Sequence, residues 1–156
     1  MAAAASLMFS TPALAATDTT SFQVTATVND SCRVTAEDLA FGIYDPNTAN
    51  DRDAESTITA TCTEGTNYDI ELNAGGNATD ASSTSRAMVG GTSGAYLDYE
   101  LYSDAGRSTV WNDTNMVNNS SATGGDNPHT VYGQIPGGQF VPAESYSDTI
   151  NVTITY

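Results

Sequence analysis

Apolar and polar residues alternate with a period of two along much of the chain. In the first such run, Phe22, Val24, Ala26 and Val28 are separated by polar residues. Because successive side chains of a β-strand point to opposite faces, this pattern predicts a strand with one buried face. The same alternation predicts further strands at residues 57–62, 68–72, 97–102, 109–111, 131–135 and 150–156.

The segments between these runs are rich in residues that form turns. Gly, Pro, Asn and Asp cluster at residues 45–47, 73–77, 90–94, 124–128 and 136–138. No segment shows the apolar spacing of a helix. Roughly seven to eight short strands joined by turns are typical of a β-sandwich. We therefore predict an all-β fold, with the polar stretch at 112–128 as a long loop.

The charge of the chain excludes two kinds of partner. The sequence has four Arg, no Lys and 19 acidic residues, for a formal net charge of −15. A nucleic-acid groove needs clustered basic side chains to contact phosphates, and this chain has too few to form one. Attraction to an anionic lipid surface is excluded for the same reason.

Residues that could carry catalysis or bind a metal do not form a known constellation. His129 is the only His, and we expect it to be a solvated surface side chain. The stretch 91–94 has the wrong spacing for the G-x-S-x-G nucleophile motif. Asp51, Asp53 and Glu55 lack the glycine and distal Glu of an EF-hand, which favours a solvated loop. We expect no enzymatic activity, no cofactor, no metal and no small-molecule substrate.

The start of the chain has the pattern of a secretory signal peptide. A short apolar run at 2–9 precedes Ala13-Leu14-Ala15, which matches an A-x-A cleavage site, although no Lys or Arg precedes the run. A membrane anchor would need about 20 apolar residues. We therefore predict a signal peptide at 1–15, an N-terminal extension at 16–30 and a β-sandwich domain at 31–156.

The two cysteines, Cys32 and Cys62, agree with export. An even pair in an exported chain is most simply one disulfide. A two-Cys metal site is the alternative, but it would need a second pair of ligands. Closing a loop of about 30 residues would stabilise the fold by roughly 3–4 kcal/mol in the chain-entropy model.

Several segments together, in this order, resemble a known family. They are residues 32–34, 41–46, 58–62, 99–107, 110–111, 132–135 and 146–156. This pattern resembles the spore-coat-protein-U-like domain, a family that includes pilins of the archaic chaperone–usher pathway. The resemblance covers nearly all of residues 20–156, although the insertion at 112–128 does not align with the family pattern.

The resemblance implies an incomplete immunoglobulin-like β-sandwich that is exported through the periplasm. The missing strand would be supplied first by a periplasmic chaperone and then by the N-terminal extension of the next subunit. The implied function is that of a structural subunit of a surface pilus, or fimbrium, supporting adhesion or biofilm formation. The implied partners are neighbouring pilin subunits, the chaperone and an outer-membrane usher.

The resemblance also implies roles for two alternating segments. The donor strand would be residues 21–29, and the terminal strand would border the groove that accepts it. The donor residues would be Phe22, Val24, Ala26 and Val28, and the candidate groove-bordering residues are Ile150, Val152, Ile154 and Tyr156. The alternation fits a second interpretation equally well, in which residues 21–29 are the first strand of a complete sandwich. The chain would then be a monomeric secreted spore-coat or surface protein.

Overall fold

The computed structural model describes residues 15–78 and 86–156, so the predicted signal peptide lies outside the described residues except for Ala15. Within these ranges the backbone forms strands and no helix, and accordingly no helix long and apolar enough to cross a membrane. The strands are β1 (Cys32–Ala36), β2 (Arg52–Cys62), β3 (Tyr68–Leu72), β4 (Arg86–Gly90), β5 (Tyr96–Tyr102), β6 (Val117–Asn119), β7 (Asp126–Ile135), β8 (Tyr146–Ser147) and β9 (Val152–Thr155). The all-β prediction is confirmed.

The strands form two antiparallel sheets. One sheet has the order β1-β2-β7-β5-β4-β8, and the other has the order β6-β3-β9. Apolar side chains from both sheets meet between them, because alternate residues of each strand face inward. The most deeply buried apolar residues are Ala60, Ile70, Leu72, Ala87, Trp111 and Ile135. This is an immunoglobulin-like sandwich.

A disulfide joins Cys32 to Cys62. The two residues are directly opposite each other in the β1–β2 ladder, so the bond ties the start of β1 to the end of β2. The backbone N–H of Thr63 also donates to the carbonyl oxygen of Ser31, at 2.9 Å. We call this end of the sandwich the disulfide end. The opposite end, where Arg52 pairs with Ile135, is called the distal end.

Most of the strands predicted from alternation are present. The run at 68–72 coincides with β3, and β2, β5 and β7 extend the runs at 57–62, 97–102 and 131–135. The terminal run is shortened to β9, and the run at 109–111 forms a single bridge between Tyr102 and Val110. Strands β1 and β4 were not expected from alternation, and the predicted loop at 112–128 contains β6 and the start of β7.

The predicted strand at 21–29 is absent from the structure. These residues lie outside both sheets, and Phe22, Val24 and Val28 are 86%, 84% and 80% exposed. Alternation reports that a segment suits a half-buried surface, but a strand also requires a neighbouring backbone with which to form a ladder. This segment has no such neighbour in the described part of its own domain.

Two predictions about polar residues are wrong. His129 is half-buried on β7 rather than solvated, and its Nε2 lies 2.9 Å from the hydroxyl of Tyr68. Asp53 and Glu55 belong to β2 rather than to a loop. Backbone pairing with β7 continues to Arg52, although Arg52, Asp53 and Glu55 are exposed. The ladder therefore extends β2 beyond the stretch in which alternate side chains are apolar.

Removing the disulfide should destabilise the domain. In the Cys32→Ala/Cys62→Ala double variant, we expect the free energy of unfolding to fall by about 3–4 kcal/mol, because the unfolded chain regains the entropy that the loop closure removed. Urea denaturation followed by tryptophan fluorescence measures this change. The wild-type protein under reducing conditions is the matched control, and its urea midpoint should be similar to that of the double variant. If both samples unfold at the midpoint of the oxidised wild type, the prediction is contradicted.

Candidate strand-binding groove

An apolar groove opens between the two sheets. Its rims are the segment 36–39, which follows β1, and the segment 146–152, which leads into β9. Two hollows of about 490 and 660 Å³ share Leu39, Met88 and Tyr146, so the groove continues along the sandwich toward the distal end. The apolar residues that line it include Ile58, Leu72, Leu97, Leu101, Val131, Ile135 and Val141.

The strands beside the groove have unpaired edges. β1 is an edge strand of the larger sheet and pairs with β2, while β9 is an edge strand of the smaller sheet and pairs with β3. The two strands approach within 8 Å between Cα atoms, yet no ladder joins them among the described residues. Unpaired edges next to apolar side chains are a template for the addition of another strand.

Two of the four terminal residues predicted to border the groove do so. Ile150 and Val152 line the groove. Ile154 packs against the core but is not part of the groove lining, and Tyr156 follows the end of β9 with 58% of its surface exposed. The groove therefore follows the approach to β9 and its first residue rather than the whole strand.

Asp148 holds the groove rim in place. One carboxylate oxygen accepts hydrogen bonds from the Gly76 N–H and the Asn77 side-chain amide, each at 2.9 Å. The other oxygen accepts a bond of 2.8 Å from the Tyr99 hydroxyl. Burial, followed by the bond to Asp148, raises the pKa of Tyr99 well above its ordinary value, so the hydroxyl remains a donor. Gly75, with φ of +90°, passes so close to this carboxylate that a Cβ would collide with it.

A buried Arg side chain, which the sequence pattern did not reveal, donates to the carbonyl oxygen of the groove-lining Leu72. Arg86 is 1% exposed and forms a salt bridge with Glu100. Its guanidinium also donates to the carbonyl oxygens of Asn73 and Trp111, with 2.8 Å between the Nη2 atom and each oxygen. It thereby connects β4 and β5 to the turn after β3. The available signal was an Arg directly before the apolar run 87–89, where an unpaired charge would be costly.

His129 and Tyr68 belong to a hydrogen-bonded group between β7 and β3. His129 faces Tyr68 edge-on, and Tyr68 also accepts a bond of 2.9 Å from the Asn119 amide. Burial lowers the pKa of His129, so the ring is neutral near neutral pH and its Nε2 shares a hydrogen bond of 2.9 Å with the Tyr68 hydroxyl. Within 15–78 and 86–156, no three His, Cys, Asp or Glu side chains are grouped to hold a metal ion. The groove can bind a peptide strand through apolar contacts and backbone hydrogen bonds.

These features define an all-β domain of the immunoglobulin-like class with an open groove between its sheets. The model of the Spore Coat Protein U domain matches residues 18–153, and the chain belongs to that family. It is also 34% identical over 167 aligned positions to Protein U of Myxococcus xanthus, covering 99% of this chain and 93% of that protein.

The fold is similar to a solved structure from a pilus system. This is a chain in the CsuC–CsuE chaperone–tip adhesion subunit pre-assembly complex, from the archaic chaperone–usher Csu pili of Acinetobacter baumannii. The TM-score is 0.64 at 23% sequence identity, and the match covers 83% of this chain. It covers 40% of the other chain, so this chain matches less than half of that protein.

Arg86 should be a large contributor to stability. In Arg86→Gln we expect the free energy of unfolding to fall by about 3–5 kcal/mol, because Glu100 is left as an uncompensated, mostly buried charge. Arg33→Gln changes the charge equally at an exposed position of β1 and should alter stability little. Thermal and urea unfolding of both variants measures the difference; equal stabilities would contradict the role assigned to Arg86.

His129 should make stability depend on mildly acidic pH. Its pKa in the folded state lies below the ordinary value of 6.5, so the unfolded chain takes up a proton first as pH falls. The contribution of neutral His129 to the free energy of unfolding is complete above about pH 6.5. It is lost as the pH falls toward the folded-state pKa. Urea unfolding at several pH values between 7.5 and 5.5 should show this loss in wild type and a smaller loss in His129→Gln. Parallel profiles would contradict the prediction.

Proposed function

We propose that this protein is a structural subunit of a surface fibre, in which residues 21–29 of one copy fill the groove of the next. The observation that carries the proposal is that one chain contains both halves of this contact. The extension exposes an apolar, alternating segment that has no ladder partner in the described part of its own domain. The sandwich exposes an apolar groove that runs from the end of β1 to the start of β9, which are both edge strands.

The segment has the side-chain pattern that an apolar groove requires. Nine residues in a strand span about 30 Å. Phe22, Val24, Ala26 and Val28 would all point into the groove, while the intervening polar residues would face solvent. Burial of one Phe, two Val and one Ala is worth roughly 5–9 kcal/mol before the cost of ordering the segment. Backbone hydrogen bonds to β9 would add to this stabilisation.

This contact leads to a fibre rather than to a closed dimer. The donating segment and the accepting groove are different surfaces, so each added subunit leaves one of each free at the two ends. The known pilus complex supports the remaining parts of the proposal. By analogy, a periplasmic chaperone would cover the groove before assembly, and an outer-membrane usher would add subunits at the cell surface. Adhesion or biofilm formation would be the role of the resulting fimbrium.

A second candidate function is that of a monomeric secreted coat or surface protein. The match of residues 18–153 to the Spore Coat Protein U domain favours a coat protein. It would require residues 21–29 to complete their own sandwich. In the structure, Asn29 and Asp30 are bonded to Thr63 and Thr66 at the disulfide end, and residues 21–28 are exposed and form no strand. This exposure supports the fibre over the monomer.

The test uses residues 16–156 and substitutions on the two faces of the extension. Phe22→Asp/Val24→Asp places charge on the face proposed to enter the groove, and we expect it to abolish polymers. The matched control, Gln23→Asp/Thr25→Asp, adds the same charge to the opposite face and should still polymerise. All four positions are exposed in the structure, so the fold of the monomer is preserved.

Gel filtration, together with SDS gels of boiled and unboiled samples, gives the readout. Wild type and the control variant should show a ladder of multimers that collapses on boiling. The apolar-face variant should remain a monomer with an unchanged circular dichroism spectrum. A monomeric wild type, or a ladder that persists in Phe22→Asp/Val24→Asp, would overturn the proposal; a monomeric wild type would favour the coat protein.

A further inference from the structure

Three exposed large apolar side chains lie on segments at the distal end of the sandwich. Ile43 is 90% exposed, Phe140 is 78% exposed and Tyr96 is 52% exposed. Ile43 also lies on the rim of the groove, and Phe140 directly precedes Val141, which lines it. We call these three residues the distal patch. In the described chain, the other strongly exposed large apolar side chains are on the extension, apart from Met116 and Tyr156.

The distal patch is held by well-formed hydrogen bonds, so its exposure is a property of the folded domain. The Tyr44 hydroxyl donates to the carbonyl oxygen of Pro136 at 2.9 Å and accepts from the Gln139 N–H at 2.8 Å. The Gln139 side chain also bonds both the N–H and the carbonyl oxygen of Asp98. Ile43 and Phe140 are therefore presented by segments that are fixed to each other and to β5. A fixed, exposed apolar patch is typical of an interaction surface.

The extension leaves its own domain at the other end. The carbonyl oxygen of Asn29 accepts a bond from Thr63, and the Asp30 carboxylate accepts one from Thr66. Three residues separate Val28 from the disulfide-bonded Cys32. A tether of this length reaches at most about 14 Å even when fully extended. The body of a donor subunit must therefore lie directly against the groove mouth from which its Val28 emerges.

The direction of β9 determines which mouth that is. Val152 pairs with Leu72 and Thr155 pairs with Asp69, so β9 runs toward the disulfide end. All ladders of the described sandwich are antiparallel. A segment added antiparallel to β9 runs the opposite way, which places Phe22 toward the disulfide end and Val28 at the distal end.

Insertion of the donor segment in the opposite direction would bring three subunits together at one end. The extension of the accepting subunit already leaves from its disulfide end, toward its own acceptor. If the donor body also docked there, the donor, the acceptor and the next subunit would meet at one end. Docking at the distal end places the two junctions of each subunit at opposite ends, which suits a linear fibre.

We infer that the distal patch is the docking surface for the disulfide end of the donor subunit, a second copy of this chain. This inference rests on the proposed function, because the inserted segment brings the two ends together. The facing surface would be the loops around residues 63–66 and 121–125, which the backbone bonds between Gly65 and Ala122 and between Ala122 and Thr66 hold together. Gly124 is exposed and Gly125 is partly exposed, and without side chains they allow a close approach of the partner's aromatic side chain.

The test maps the junction by photo-cross-linking within the polymer. Phe140→p-benzoylphenylalanine places a photoreactive group in the distal patch of residues 16–156. Met116→p-benzoylphenylalanine is the matched control, since Met116 is also an exposed apolar side chain but lies outside the patch. After irradiation, Phe140→p-benzoylphenylalanine should yield dimers that survive boiling, and mass spectrometry should map the cross-link to residues 63–66 or 121–125. The control should yield no such dimers.

Each alternative outcome contradicts a definite claim. A cross-link from position 140 to residues 16–20 would show the opposite strand direction and overturn the docking surface while leaving strand insertion intact. If the polymer forms but neither Phe140→p-benzoylphenylalanine nor Tyr96→p-benzoylphenylalanine gives a cross-link, the docking surface is overturned and strand insertion still stands. If wild type forms no polymer, both the docking surface and the proposed function fail.

Discussion

The fold depends on an inter-sheet core that the described part of the chain does not fully cover. Apolar residues from both sheets line the groove between β1 and the segment leading into β9. Burial of apolar surface is the main force that holds a sandwich together, so an open groove leaves part of that stabilisation unrealised. The same groove meets the end of β1 and the start of β9, which are both edge strands. A strand from outside would supply both the missing apolar surface and the missing backbone partners.

Polar interactions keep this groove open and in shape. Arg86 joins β4 and β5 to the turn after β3, and Asp148 joins the rim to that same turn and to Tyr99. In the low dielectric of the interior, these charge-assisted bonds are directional, and an unpaired member would be costly. The rims are therefore positioned by the domain itself. This geometry suits insertion of a strand into a prepared site rather than folding of the whole domain around it.

The acidic character of the chain has a clear relation to this open surface. A net charge of −15 makes copies of the chain repel one another, which opposes non-specific association through exposed apolar residues. Residues 19–29 carry no charge, although Asp18 and Asp30 flank them. The segment proposed to enter the groove is thus free of the charges that would be costly to bury. Repulsion between whole subunits and attraction through one uncharged segment together favour a specific contact.

Alternation along the sequence determined the all-β class and the positions of β3, β5, the second halves of β2 and β7, and most of β9, because a half-buried strand imposes a period of two on its own residues. The cysteine pair likewise indicated the disulfide. Only the tertiary structure decided which alternating segments have partners. Residues 21–29 alternate as clearly as β3, yet one remains exposed and the other is buried, since pairing depends on strands far away in the chain. The buried ion pair of Arg86 and the distal patch could not be predicted from the sequence either, because both arise from residues that only folding brings together.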